Sequence, residues 1–362
     1  PMSSAHSPHP RTLPPSGSPH RRALTRAGVQ AVPRAVGLLE SPELQGVDVG
    51  PLVDVLRHAA DPDRALLLWV RLADREPRVH TALADPDHAT RLVRLLGASD
   101  ALGEFLIRCP EHLDLVLDPE AAAATAPALT GLEHGDGPDT APGEDLRRLL
   151  LAAVEADPEA ERPCAGLTGA DAAVALRRAY RRQLTAIALA DLAAPDPSAV
   201  MPAVGAWLAD LAGAAIDAAL AVSRAELVAR DGDAARGVEL AVIGMGKCGA
   251  RELNYASDVD VVFVHDVAED AAPVGGAASV AAELAAGISR VITGAAPEPG
   301  LWEVDANLRP EGKDGALSRT VDSHVEYYRR WAHGWEFQAL LKARPVAGFR
   351  APVSYTHLTL PT

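Results

Sequence analysis

ELAVIGMGKCGARELNYASDVDVVFVHD (239–266) decides the reading of this chain. A short apolar run, VELAVIG (238–244), ends in glycine and reads as a strand. A glycine-rich turn follows at Gly244, Gly246 and Gly249. VDVVFVHD (259–266) is β-branched and reads as a second strand, with Asp258 and Asp260 at its entrance.

Three chemistries could use this layout. GMGKCG matches the dinucleotide fingerprint GxGxxG, with Asp266 at a suitable distance. That fold needs a crossover of a dozen or more residues between parallel strands, and ARELNYASD is too short. A Walker loop needs Ser or Thr after its lysine, and Lys247 is followed by Cys248. The third reading turns on the aspartates. Residues i and i+2 of a strand face one side, so Asp258 and Asp260 project together, away from Val259. Two such carboxylates repel unless a cation lies between them, and Mg²⁺ favours carboxylate and phosphate oxygens. The turn Gly244–Gly249 can bring backbone N–H groups and Lys247 against a phosphate. This is a layout for metal-assisted nucleotidyl transfer. A third carboxylate is expected from LWEVDANLRP (301–310), read as a strand with Glu303, Asp305 and Asn307 on one face. Arg309 and Lys313 follow as phosphate clamps.

The rest of the chain is mostly helical in pattern. Residues 1–50 are expected to be disordered or weakly structured, with Pro, Ser, His and Arg crowding the first 35. RALLLWVRLAD (64–74), HATRLVRLLG (88–97) and DALGEFLIRC (100–109) show helical periodicity. The stretch 119–143 reads as a loop, and helices are expected at 144–156, 170–193 and 199–230. Four arginines, Arg177, Arg178, Arg181 and Arg182, cluster on the second of these. After the turn, helices are expected at 279–294, 321–331 and 334–344. The expected plan is α+β: a helical region over 51–236, then an α/β module over 237–352 with a mixed sheet and flanking helices.

Bulk properties narrow the function classes. The chain has 362 residues, a net charge of −15 and only 4% aromatic residues. Such acidity argues against a nucleic-acid surface over the whole molecule. No run is read as approaching the ~18 apolar residues of a membrane span. Cys109, Cys164 and Cys248 lie far apart, which suits a reduced cytoplasmic setting. None of the 12 histidines has metal-ligand spacing. His265 reads as a strand-end residue and Cys248 as a small filler. Pro1 precedes Met2, and VSYTHLTLPT (353–362) breaks the composition before it. That tail resembles a translated sequencing adapter, so the natural chain is expected to continue past 352.

GMGKCGARELNYASDVDVVF, VDANLRPEGKDGALSR and WEFQALLKARPVAG, in this order, resemble the glutamine synthetase adenylyltransferase/adenylyl-removing family. LLGASDALGEFLIRCPEHLDLVLD (95–118) and LRRAYRRQLTAIALADLA (176–193) resemble its N-terminal helices. The resemblance implies a nucleotidyltransferase fold with a divalent-metal triad at Asp258, Asp260 and Asp305. It implies a phosphate turn at Gly244 and Gly246, with Lys247, Ser257, Arg309, Lys313, Lys342 and Arg344 in the nucleotide and phosphate set, a solvated helix end being the competing reading for Lys342 and Arg344. Trp335 and Glu336 match its WE block, where packing or orientation competes with catalysis. The family's first module removes AMP and its second attaches it. The implied reaction is therefore phosphorolysis of AMP–tyrosine on glutamine synthetase, with Mg²⁺, phosphate, ADP and ATP as small partners and a nitrogen-signalling protein as regulator. A helical interaction protein carrying a vestigial module is the competing expectation, as is transfer to another substrate.

Overall fold

The computed structural model describes residues 20–118, 125, 142–232, 237–267 and 276–349. The chain forms two compact units, Pro1–Ala121 and Ala122–Thr362.

The first unit is all helix among its described residues: α1 (Arg21–Arg26), α2 (Val32–Leu39), α3 (Gly50–Val55), α4 (Pro62–Arg75), α5 (Pro86–Ala98), α6 (Asp100–Arg108) and α7 (Asp114–Leu117). Aspartate caps start α4 and α5. Asp61 accepts from the Arg64 N–H and Asp85 from the Asp87 N–H, each with proline at the first helical position. Leu66, Trp69, Leu92, Phe105 and Leu106 are fully buried and form the centre of this unit. The expectation that 1–50 lacks structure fails from residue 20 onward. Leu24, Leu39 and Leu44 are buried, and Asp63 accepts from the Gln30 and Ala31 N–H groups. Pro and Arg density hid a segment whose few leucines find a core.

The second unit begins with α8 (Pro142–Ala153), α9 (Gly169–Ala193) and α10 (Pro197–Asp231). Then come β1 (Val238–Gly244), the short α11 (Gly246–Gly249), β2 (Val259–Val267), α12 (Ala277–Thr293) and β3 (Val304–Asp305). β4 (Ser318–Thr320), α13 (Val321–Arg330), α14 (Gly334–Leu340) and β5 (Arg344–Gly348) complete it. β1 lies between β2 and β5, antiparallel to both. The far edge of β2 pairs in parallel with β3 near its start and with β4 further along. The sheet is mixed, and the antiparallel β1–β2 pair confirms that the glycine turn opens no Rossmann crossover.

The helices α8–α10 belong to the same unit as the sheet, so the domain boundary read at 236 lies instead near residue 121. The reason is α10, which packs against α8, α9, α12 and β5. By length and composition it is apolar enough to cross a bilayer, which the sequence reading missed. Most of that apolar window is buried among its neighbours, as in a core helix.

Two further expectations are corrected. The strand expected over 301–310 shrinks to Val304–Asp305, because the Asn307 N–H turns back to the Asp305 carboxylate at 2.7 Å. The helix expected over 334–344 stops at Leu340, and Arg344 begins β5. Of the loop expected over 119–143, residues 142–143 instead begin α8, and 119–141 lies outside the described residues apart from Thr125, as does the tail 353–362.

Candidate active site

Three strand positions bring the carboxylates together. Asp260 is the second residue of β2, and Asp258 stands just before that strand, two residues away on the same side. β3 pairs with β2 in parallel register, with Asp260 opposite Asp305 and Val259 opposite Val304. The Val259 N–H reaches the Glu303 carbonyl at 2.9 Å and locks that register. Oxygens of Asp258, Asp260 and Asp305 consequently lie within 4.8 Å of one another. Val259 faces the other way and is fully buried. A two-residue strand suffices, because only Asp305 has to be placed.

Among the described residues no hydrogen bond or ion pair reaches the Asp260 carboxylate. Its pKa is raised, first by burial and then by repulsion from Asp258 and Asp305, while Lys247 partly offsets this. Lys247 therefore lies within electrostatic reach of the cluster. Ser257 Oγ lies 3.4 Å from Asp258 Oδ1.

The glycine turn is built against this cluster. The Met245 N–H donates to the Asp260 carbonyl at 2.8 Å. Gly246 has φ +49°, and a Cβ there would sit 2.7 Å from Asp260 Oδ2. Gly249 admits no side chain either, since a Cβ would lie 1.9 Å from the Lys342 carbonyl oxygen. These glycines serve close approach, the first to a carboxylate and the second to another stretch of backbone. Cys248 is buried beneath the turn and its thiol pKa is pushed up to about 11 by burial, which suits a filler and not a nucleophile.

Other residues singled out in the sequence take different places. Arg309 turns its guanidinium onto the carbonyls of Ala306, Lys313 and Gly315, and so shapes its own loop. Lys342 pairs with Glu252 at 2.7 Å, and Arg344 donates to the Cys248 and Gly249 carbonyls. Glu336 is buried and accepts from the His333 N–H and the Tyr327 hydroxyl, an orienting role at the start of α14. Trp335 is 56% exposed and packs in no core. His265 is buried within β2, 2.8 Å from Ser318 Oγ, and is not a strand-end residue.

Sequence reasoning missed what holds β3. Arg177 is fully buried and donates to the carbonyls of Val291 and Gly294, where α12 ends, and of Glu298. Arg181 reaches the Glu298 carboxylate at 2.9 Å and the Gly300 carbonyl at 2.7 Å. Two of the four clustered arginines thus fasten the segment that delivers Asp305. Their helical spacing was visible, but their partners lie more than 100 residues away.

A mixed sheet that presents a glycine turn to a carboxylate trio is of the nucleotidyltransferase type. The family model for glutamate-ammonia ligase adenylyltransferase matches residues 89–357, and the chain belongs to that family. It is 46% identical over 333 residues to a bifunctional glutamine synthetase adenylyltransferase/adenylyl-removing enzyme of Leifsonia xyli subsp. xyli, covering 90% of this chain and 31% of that protein. It is 42% identical over 345 residues to the enzyme of that name from Streptomyces avermitilis, covering 91% and 30%. For Bifidobacterium longum the identity is 40% over 342 residues, again covering 91% and 30%. The chain thus spans about a third of the length of these relatives.

Proposed function

We propose that the second unit is a nucleotidyltransferase module that acts on glutamine synthetase and removes AMP from an adenylylated tyrosine by phosphorolysis. The observation that carries this reading is the carboxylate trio, with oxygens within 4.8 Å and a raised pKa at Asp260. Such a cluster stabilises nothing by itself. It fits a hard divalent cation such as Mg²⁺, held by Asp258, Asp260 and Asp305. Bound there, the cation supplies positive charge to phosphate oxygens and to a leaving oxygen.

The residues of the chain do the rest. The glycine turn brings backbone against Asp260 too closely for any side chain, and its N–H groups would hold a phosphate beside the cluster. Lys247 adds positive charge beside the cluster. In the reaction an oxygen of inorganic phosphate bonds to the AMP phosphorus, and the bond from phosphorus to the tyrosyl oxygen breaks. ADP leaves, and the tyrosinate takes a proton from solvent. The direction is supported by the helical lead-in ahead of the module, the order that the family resemblance gives to its adenylyl-removing half. In the longer protein a second module would attach AMP from ATP, and a nitrogen-signalling protein would regulate the balance. Three separated cysteines suit a reduced cytoplasm. A vestigial module is disfavoured, because mutually repelling carboxylates have no structural use.

The test is ADP release from adenylylated glutamine synthetase with Mg²⁺ and phosphate, beside Asp258→Asn. ADP that requires phosphate and drops on the order of 10³-fold in the variant supports the reading. Transfer of AMP from ATP without phosphorolysis would reverse the direction. Activity unchanged in Asp258→Asn would remove the trio from the chemistry.

A further inference from the structure

Arg344 lies behind the glycine turn. Its Nε donates to the Gly249 carbonyl at 3.2 Å and its Nη2 to the Cys248 carbonyl at 3.1 Å. The same guanidinium lies 3.6 Å from Asp210, whose side chain is only 5% exposed in α10. The other oxygen of Asp210 takes Arg251 at 2.5 Å. Arg251 is two residues past Gly249 and holds a left-handed φ of +58°, a conformation costly for a non-glycine residue unless its surroundings enforce it. One buried carboxylate therefore ties an arginine from β5 to the arginine by which the chain leaves the turn. Two backbone contacts complete the strap. The Leu253 N–H donates to the Gly205 carbonyl of α10 at 3.2 Å, and Gly249 rests on the Lys342 carbonyl too closely for any side chain.

We propose that Asp210 and Arg344 are positioning residues that set the glycine turn against Asp260 from behind, and that Arg344 does not touch phosphate. This rests on the reading of the turn as the phosphate-holding element. The connection to the site is short. The front of the turn meets Asp260 through the Met245 N–H and through Gly246, so a shift at its back moves the backbone against which phosphate would sit. An arginine is required because its planar fork serves two carbonyls and a carboxylate together, which a lysine ammonium cannot match in geometry.

The test compares Arg344→Gln, Asp210→Asn, their double variant and Arg344→Lys in the phosphate-dependent ADP-release assay, with melting temperature recorded for each. A displaced turn raises KM for phosphate on the order of 10- to 100-fold in either single variant. The double variant is expected to be no worse than the worse single, because both act through one contact. Arg344→Lys recovers part of the loss. Should Asp210→Asn fail to fold, Arg251→Gln takes its place in the cycle. The proposal is overturned if Asp210→Asn leaves KM unchanged while Arg344→Gln raises it, which is the signature of direct phosphate contact. It is also overturned if the losses add, or if melting temperature falls while KM stays fixed. If the unaltered chain releases no ADP, the same variants are read by calorimetric ADP affinity with Mg²⁺. Weakened binding in both then upholds the positioning role while phosphorolysis falls, and no ADP binding by the unaltered chain removes both.

Discussion

The second unit contains two kinds of acidic site. On α10, Asp210 and Asp217 are buried and fully answered by the protein. Asp210 takes two arginines, and Asp217 takes Arg147 at 2.6 Å and the Gly348 N–H at 2.8 Å. At the entrance of β2, Asp258, Asp260 and Asp305 face one another, and Asp260 is short of partners. Removing a carboxylate from water is costly, wholly for the buried pair on α10 and in part for the half-buried Asp260. On α10 that cost is offset by cations of the chain, and the result is fixed geometry. At the strand entrance it is left standing, and the result is a place for a cation from outside. The contrast separates aspartates that the chain itself neutralises from a trio that could hold a metal ion.

The contrast can be broken at its strongest point first. Asp217→Ala leaves Arg147, whose side chain is only 12% exposed, without its main partner and frees the end of β5. It should lower unfolding free energy by about 3–5 kcal/mol in denaturant melts, while Mg²⁺ still raises the melting temperature. A loss no larger than that of a surface pair would erase the distinction.

A smaller effect of opposite sign is expected at the other site. Asp260→Asn removes repulsion, so without divalent cations the variant should be as stable as the parent or up to about 1 kcal/mol more so, the gain being limited by solvent screening. The melting-temperature rise on adding Mg²⁺ should vanish with it. A clear destabilisation would assign Asp260 to the framework.

The smallest effect is a pH dependence. The folded-state pKa of Asp260 is raised, so its contribution to stability is present at low pH and is lost as pH rises through that pKa. The extra stability given by Mg²⁺ should therefore be greatest near neutrality and shrink towards the carboxylate range near about pH 4. It is measured as the difference between melts with and without Mg²⁺, so groups remote from the site cancel. One such group is His324, buried with its pKa lowered. It takes stability away as pH falls below about 6.5, whether or not the cation is present. A Mg²⁺ increment constant across that range would place the cation elsewhere.

The legible parts of the fold and site were those set by local rules. Alternation placed Asp258 and Asp260 together, the shortness of ARELNYASD excluded a crossover, and 3.6-residue periodicity located α4, α5 and α6 within two residues at each end. Asp305 was found as a strand carboxylate, although its strand proved only two residues long. Distant partners remained hidden. Arg309 read as a phosphate clamp from its place after Asp305, and Arg344 joined the phosphate set through the family resemblance, because nothing in the sequence marks the carbonyls that each meets. The domain boundary was misplaced for a similar reason. A change from helical to strand pattern is visible along the chain, but the apolar faces of α10 that fit the sheet are not.

α10 also has a consequence for synthesis. Its 35 residues are covered on several faces, in part by α12 and β5, which follow it in the chain. Over a hundred residues separate the end of α10 from the start of β5. At typical translation rates that is an interval of roughly 5–20 s during which a helix apolar enough for a bilayer stands without part of its cover. The helix that anchors the finished unit is thus also the segment of the growing chain most in need of shelter.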